Sequence, residues 1–520
     1  MKIIALSLGL LLWSTSIHAL GHQNLSSVGG QLDKCGSFDL KDADIRSVHE
    51  AFLDKSLTAE ELISCYISRI DKIDKAAGIN AITVTNPKAI EEARLLDKEF
   101  KEIGKLRPLH GIPVIVKDNI STSGIETTAG SLALKGYIPK KDATIIKRLK
   151  AAGAIILAKS NMAEWGINAN VSISSTAGET LNPYNLKYTT AGSSGGTAAA
   201  IALNFGIIGL GTDTGSSIRG PASHNALIGV RPSMGLTSRN GIVPLNLRND
   251  MPGPMTRSME DAARVLEIIN GYDEKDQLTE YGLNMVPESY IDRMNKTDLK
   301  GVRIGVFRRI SMYASPEVSK LFEKAISDLR KQGAEIVDPF EVAGFDSLRH
   351  NQWCPTFQED LNLFLSSLED DVPVRSLDEI IASGKYSPYI KNDLLNYQRY
   401  NNLKGENVCT DVFTDVRRIE FRQAIERAMS IYRVSTIIYP SWNRSPAKAG
   451  TVQAITGDNN HIIAPHTGQP AITVPMGYLP GNLPAGLQFL GKMFEDHRLM
   501  SIVQVYEKKT HHRTHPVVLP

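Results

Sequence analysis

Two loops rich in glycine and serine hold most of the side chains in this 520-residue sequence whose type and spacing suit chemistry. The first is Ala191-Gly192-Ser193-Ser194-Gly195-Gly196-Thr197. The second is Gly211-Thr212-Asp213-Thr214-Gly215-Ser216-Ser217-Ile218-Arg219. Between them lie an alanine-rich helical stretch and the strand-like run Phe205 to Leu210. Three readings of such loops compete. Glycine and serine clusters are ordinarily plain turns. A phosphate cradle is the second reading, but G-x-x-x-x-G-K-[ST] is absent and neither loop contains a lysine. The third is a hydrolase whose serines do nucleophilic work, although no G-x-S-x-G elbow surrounds Ser217.

The elements that must position these loops alternate between helix and strand. Thr58 and Glu61 form a capping box, after which Leu62, Tyr66, Ile70 and Ile73 repeat at helical spacing. Ala81 to Thr85 predicts a short strand, and Asn86-Pro87 a helix with proline at its first position. The run Ile112 to Val116 has a buried-strand pattern and ends on Lys117-Asp118-Asn119. A helix over Asp142 to Gly153 and a strand over Ala154 to Ala158 follow. The same alternation continues through Val302 to Phe307, Pro316 to Gln332 and Ala334 to Val337. Ala471 to Val474 and Gly486 to Phe489 predict two late strands. Such alternation argues an α/β fold with helices covering a largely parallel or mixed sheet. With no linker, repeat or low-complexity tract, residues 20–520 are expected to form a single domain despite their length.

Composition removes several classes of function. Hydrophobic residues make up 42% and the formal net charge is +2, which excludes disorder as the main state. So balanced a charge leaves no electrostatic footprint for nucleic acid. No His/Asp/Glu set has metal-ligand spacing, and no two cysteines are spaced C-x-x-C, so neither a metal nor a cofactor is expected.

At the two loops and the lysine before them, the sequence resembles the amidase signature family. That family's pattern is a lysine after a buried strand, then G-S-S-G-G, then G-T-D-x-G-G-S-I-R. Here the corresponding segments are Val116-Lys117-Asp118-Asn119, Gly192-Ser193-Ser194-Gly195-Gly196 and Gly211 to Arg219, with the two serines spaced as in the family. Further similarity runs through Asn182-Pro183-Tyr184-Asn185, Gly229 to Gly235, Gly253-Pro254-Met255, Thr467 to Ala471 and Gly486 to Phe489. The resemblance covers nearly the whole chain and is strongest from Gly111 to Arg257. It implies a large twisted mixed β-sheet covered by α-helices on both faces. It also implies a carboxamide hydrolase, with Ser217 as nucleophile, Ser193 as bridging serine on a cis peptide, and Lys117 as terminal base. The backbone N–H groups of Thr214, Gly215, Ser216 and Ser217 become the candidate oxyanion hole, while Asp213, Arg219 and Asp118 are structural.

A serine hydroxyl needs a neighbour to take its proton. Lysine does so only when neutral, a form favoured by burial and by the absence of a nearby carboxylate. Against this stand plainer readings. Lys117 taken alone suits a surface lysine, and one of Ser193 and Ser194 is expected to cap the helix Ala198 to Leu203. His224 or His466 could serve a Ser-His-Asp triad, but no motif supplies either with an acidic partner. Asn459-Asn460-His461 is read as a loop. Two departures from the family pattern matter: Ser216 stands where glycine is usual, and so does Ala191. A Cβ at 216 would strain any positive-φ backbone. This motivates an alternative reading, a catalytically silent small-molecule or peptide binder on the same fold. Arg231 in place of a usual lysine touches no expected catalytic role.

Met1-Lys2, the apolar run Ile3 to Trp13 and the stretch ending at Ala19 have the layout of a cleavable signal peptide, residues 1–19. A periplasmic or secreted bacterial protein is therefore expected, with no membrane attachment after cleavage. Export speaks against a role like that of the family's glutamyl-tRNA amidotransferase subunit. It favours a small-molecule or peptide amide as substrate and a monomer or homodimer as the working form. Of the four cysteines, Cys65 is expected to be a buried small hydrophobe, and Cys354 and Cys409 are a candidate bridge that spacing alone does not establish. No substrate-binding residue is fixed by sequence. The stretch Phe345 to Tyr400, irregular and bearing Trp353, Phe357, Phe364, Tyr386, Tyr389 and Tyr397, is expected to help line the pocket.

Overall fold

The computed structural model describes residues 32–294, 296–399, 409–451 and 456–517. The expected signal peptide, residues 1–19, lies outside them. The main sheet has eleven strands among the described residues. In chain order they are β1 (Ile82–Thr85), β2 (Pro113–Lys117), β3 (Ile155–Ser160), β4 (Ile208–Asp213), β5 (Ile228–Arg231), β6 (Met251–Thr256), β7 (Arg303–Val306), β8 (Glu335–Val337), β9 (Thr436–Pro440), β10 (Ala471–Leu479) and β11 (Leu483–Leu490). Their order across the sheet is β8-β7-β9-β11-β10-β5-β6-β4-β2-β3-β1. The sheet is mixed: β4, β2 and β3 run parallel to one another, β8, β7 and β9 likewise, and antiparallel strands join the two sets. This is the expected α/β class, with helices packed over a large mixed sheet.

The strands nearest the site are buried along their whole length. Val114, Ile115 and Val116 of β2 pair with Ile208, Gly209 and Leu210 of β4, and all lie in the core. A strand buried on both faces reads as a continuous apolar run, which is why this segment was legible. The helix Gly195–Ala202 crosses the same strands and has all eight residues buried. Its small residues let it approach closely: a Cβ at Gly209 would stand 2.7 Å from Cγ2 of Thr197.

Several boundaries differ from expectation for identifiable reasons. The helix after Asn86-Pro87 begins only at Ala89, because the Asn86 side chain accepts from the Lys88 N–H and holds a turn ahead of it. The stretch from Phe345 is largely helical rather than irregular, with helices Phe345–Leu348, Phe357–Ser366, Leu377–Ser383 and Lys391–Arg399. Each is too short to establish a firm period. Cys65 is not a lone hydrophobe: it bridges to Cys35 across a Cα–Cα distance of 5.8 Å and ties the helix Ala59–Ile73 to the segment before it. Cys354 and Cys409 are bridged as well, at 6.1 Å.

Candidate active site

Lys117 is the last residue of β2 and is fully buried. Its Nζ donates to Ser193 Oγ at 2.7 Å and to Thr212 Oγ1 at 2.8 Å. Asn119 donates to the same Thr212 hydroxyl at 3.1 Å and to the carbonyl of Val243 at 3.2 Å. Thr212 thus holds the amine in place, a role with no separate signal in the sequence. Burial pulls Lys117 down from 10.5 to about 7, with Asp250 and Asp213 pulling weakly the other way. Two carboxylates thus act on the amine, and desolvation outweighs both.

Ser193 follows a cis Gly192–Ser193 peptide bond. Cβ atoms added at Gly192 or Gly196 would collide with backbone of residues 161, 168 and 171, so the chain can pass here only without side chains. Neither Ser193 nor Ser194 caps the following helix. Ser194 occupies the cap position without a capping bond and directs its hydroxyl to the Thr212 carbonyl, while the Gly195 N–H donates to Ser172 Oγ at 2.9 Å. The cap comes from another loop because the cap position is already committed to the strand beside it.

The second loop is held by Asp213. Its carboxylate accepts from Arg219 Nε at 3.0 Å, from Arg231 Nη1 at 3.0 Å and from the Ile218 N–H at 3.2 Å. Burial alone would raise this carboxyl, but Arg219 and Arg231 together hold it below its ordinary value. Arg219 also donates to the Gly215 carbonyl at 2.8 Å, and Arg231 to the Asn249 carbonyl at 2.6 Å. The four intervening N–H groups, of Thr214, Gly215, Ser216 and Ser217, donate to no protein acceptor among the described residues. All four residues line one cavity of about 500 Å³. Ser216 is not in the left-handed region, so its Cβ causes no backbone strain; the positive φ, 59°, belongs to Ala191. The motive for a silent binder disappears with that observation. The two loops are joined where the Ser194 N–H donates to the Ser217 carbonyl at 3.2 Å.

The remaining candidates separate from this centre. Asp118 accepts from Thr128 and the Gly130 N–H and fixes a neighbouring loop. His224 is buried with neither ring nitrogen partnered among the described residues, its ring 4.8 Å from that of Trp442. His466 packs edge-on against Trp353. Burial lowers both imidazoles, His224 to about 4 against an opposing pull from Asp458, and neither ring is hydrogen-bonded to a carboxylate among the described residues, as a triad requires. Trp353, Phe357 and Tyr397 line the cavity; Phe364 and Tyr386 pack instead in an adjacent core cluster, and Tyr389 is exposed. Sequence reasoning missed Asp458 and His461, which also line the cavity on the loop read as plain connection.

The family model described as Amidase matches residues 61–500. The chain belongs to the amidase family. A probable amidase of Arabidopsis thaliana is 32% identical to this amidase over 94% of each chain. A glutamyl-tRNA(Gln) amidotransferase subunit from Symbiobacterium thermophilum is also 32% identical, over 91% of this chain and 98% of its own. Among solved structures, the peptide amidase of Stenotrophomonas maltophilia superposes with a TM-score of 0.79 at 31% identity, over 92% of this chain and 99% of that one. The chain is therefore an amide-hydrolysing enzyme, and the alternative of a catalytically silent binder is set aside.

Proposed function

We propose that this amidase cleaves a carboxamide through an acyl-enzyme on Ser217, with Ser193 as proton relay and Lys117 as general base. The observation that carries the reading is the 2.7 Å contact between a fully buried Lys117 Nζ and Ser193 Oγ. Ser217 Oγ attacks the carbonyl carbon while its proton passes to Ser193, whose own proton passes to neutral Lys117. The developing oxyanion is met by the N–H groups of residues 214–217, which have no other acceptor among the described residues. The C–N bond then breaks, and the proton returns through Ser193 to the leaving nitrogen. Water repeats the sequence on the acyl-enzyme and releases the acid.

The setting we propose is the periplasm or the extracellular space, after removal of residues 1–19. Support comes from the leader-like sequence and from two disulfides, which persist mainly in oxidising compartments. The substrate is a small-molecule or peptide amide.

The test is labelling with a fluorophosphonate serine probe followed by peptide mapping. Modification at Ser217 is expected, and Ser217→Ala should lower kcat by on the order of 10⁴ or more. Labelling elsewhere, or near-normal turnover by the alanine variant, overturns the assignment. Mass spectrometry of the exported protein tests the setting, with Leu20 the expected first residue; an intact leader argues against it.

A further inference from the structure

The cavity beside Ser217 contains a carboxylate that the proposed chemistry does not use. Asp458 is 4% exposed and lines the cavity together with Ser217, Trp353 and Tyr397. Its Oδ1 accepts from the backbone N–H and the side-chain amide of Asn460, at 2.9 and 2.8 Å. Its Oδ2 accepts no hydrogen bond among the described residues and stands 3.7 Å from His461 Nδ1, beyond hydrogen-bond reach. No lysine or arginine among the described residues lines the cavity. The imidazole within ion-pair range, His461, makes no hydrogen bond to Oδ2 and lines the same cavity, so a cation or donor entering the cavity can meet this largely buried carboxylate.

The carboxylate is also held in position. Asn460 donates from its side chain to the Ser441 carbonyl at 3.0 Å, and Asn459 to the Pro440 carbonyl at 2.8 Å. These bonds fasten the loop to the end of β9. The loop reaches the reacting centre: a Cβ built on Gly215 would lie 3.6 Å from His461 Cβ and 3.3 Å from the Trp353 ring. Trp353 and Tyr397 line the same cavity as this carboxylate, and an aromatic ring adds its own attraction for a cation.

The geometry points to Asp458 as a specificity-determining residue that selects amides whose acyl portion carries an ammonium group beside an apolar body. The inference rests on the amidase reading for its context, but its test does not require turnover. In the Ser217→Ala protein, binding is measured by Trp fluorescence or calorimetry. The ligands are a ladder of ω-ammonium carboxamides of increasing chain length, each set against the alkyl amide in which methyl replaces ammonium.

At the rung whose length fits, the ammonium ligand should bind about tenfold more tightly than its methyl isostere. That ratio should fall toward one in Asp458→Asn, which keeps an oxygen for the Asn460 donors, and in Asp458→Ser, made in parallel. Methyl isosteres that bind as tightly at every rung of the unsubstituted ladder overturn the proposal, whatever the variants do. A preference that persists undiminished in a folded Asp458 variant overturns it too. Failure of the amidase reading would show separately, as turnover that survives loss of Ser217.

Discussion

The role proposed for Lys117 depends on its being badly placed as a cation. Its ordinary pKa of 10.5 falls to about 7 through burial. Activity that depends on the neutral amine should therefore rise with pH through about 7, read as kcat/KM of the free enzyme. Lys117→Arg keeps the charge but cannot release the proton, so it should abolish turnover, whereas His224→Ala and His466→Ala should retain most of it. An active Lys117→Arg enzyme would place the base elsewhere. The same depression affects stability, with a definite sign. Between about pH 7 and 10.5 the unfolded lysine holds a proton that the folded one does not, so this residue's contribution to stability improves as pH rises. Below about 7 the folded protein bears the whole cost of a buried charge. Lys117→Met removes that cost and leaves the Ser193 hydroxyl without its partner. We expect a net gain on the order of 1–3 kcal/mol at neutral pH, together with complete loss of activity. Thermal melts across pH check it: the gap between variant and parent should narrow on the alkaline side.

At the scale of elements, the first loop depends on glycines that admit backbone, not on flexibility. A Cβ at Gly196 would run into the main chain of Asn161 and the Ala81 carbonyl, groups held by strand pairing and unable to give way. Gly196→Ala should therefore cost about 2 kcal/mol or more in denaturant melts and displace Ser193 from Lys117. The two disulfides should differ in effect. Removing Cys35–Cys65, which spans 30 residues away from the cavity, should cost about 2–4 kcal/mol of stability with kinetics unchanged. Cys354 lies in the cavity wall next to Trp353, so Cys409→Ala should raise KM for bulky amides severalfold while leaving the pH profile in place. What the sequence made legible follows the same division. The run Ile112 to Val116 announced a buried strand, and of the ordered motifs the lysine and the first serine meet, Lys117 Nζ lying 2.7 Å from Ser193 Oγ. The cap from Ser172, the bridge at Cys65 and the carboxylate of Asp458 were not legible. Each depends on a partner brought near by distant strand pairing, and no local pattern records that.

On the scale of the whole molecule, the sheet ends in two short strands, β8 of three residues and β1 of four. Short edges limit the unpaired backbone offered to another chain. The candidate groups gather at the C-terminal ends of β2 and β4, where strands from residues 113–117 and 208–213 must both be in register before Lys117 meets Thr212. Because so much pairing is non-local, slow folding is expected, and catalytic competence should appear only with the last folding phase. Stopped-flow refolding monitored in parallel by fluorescence and by serine-probe capture would show it; probe capture that precedes the main fluorescence change would count against the idea.

The division of the cavity between a floor borne on sheet loops and a wall borne elsewhere has a consequence for how such an enzyme diversifies. Lys117 ends strand β2, and Ser193 and residues 214–217 belong to loops beside the strands, hemmed in by close backbone packing at the glycines and by the Asp213 carboxylate. Phe357 and Tyr397 come from helices and Trp353 and Asp458 from two separate connections, yet all four face the same space. Substitutions at these four positions can therefore redraw the catalogue of accepted molecules without retuning the proton path. A combinatorial library confined to them should yield many folded variants with new preferences. A library of equal size on the floor should yield mostly inert protein, which makes the wall the part of this enzyme that engineering, or natural drift, can reach most cheaply.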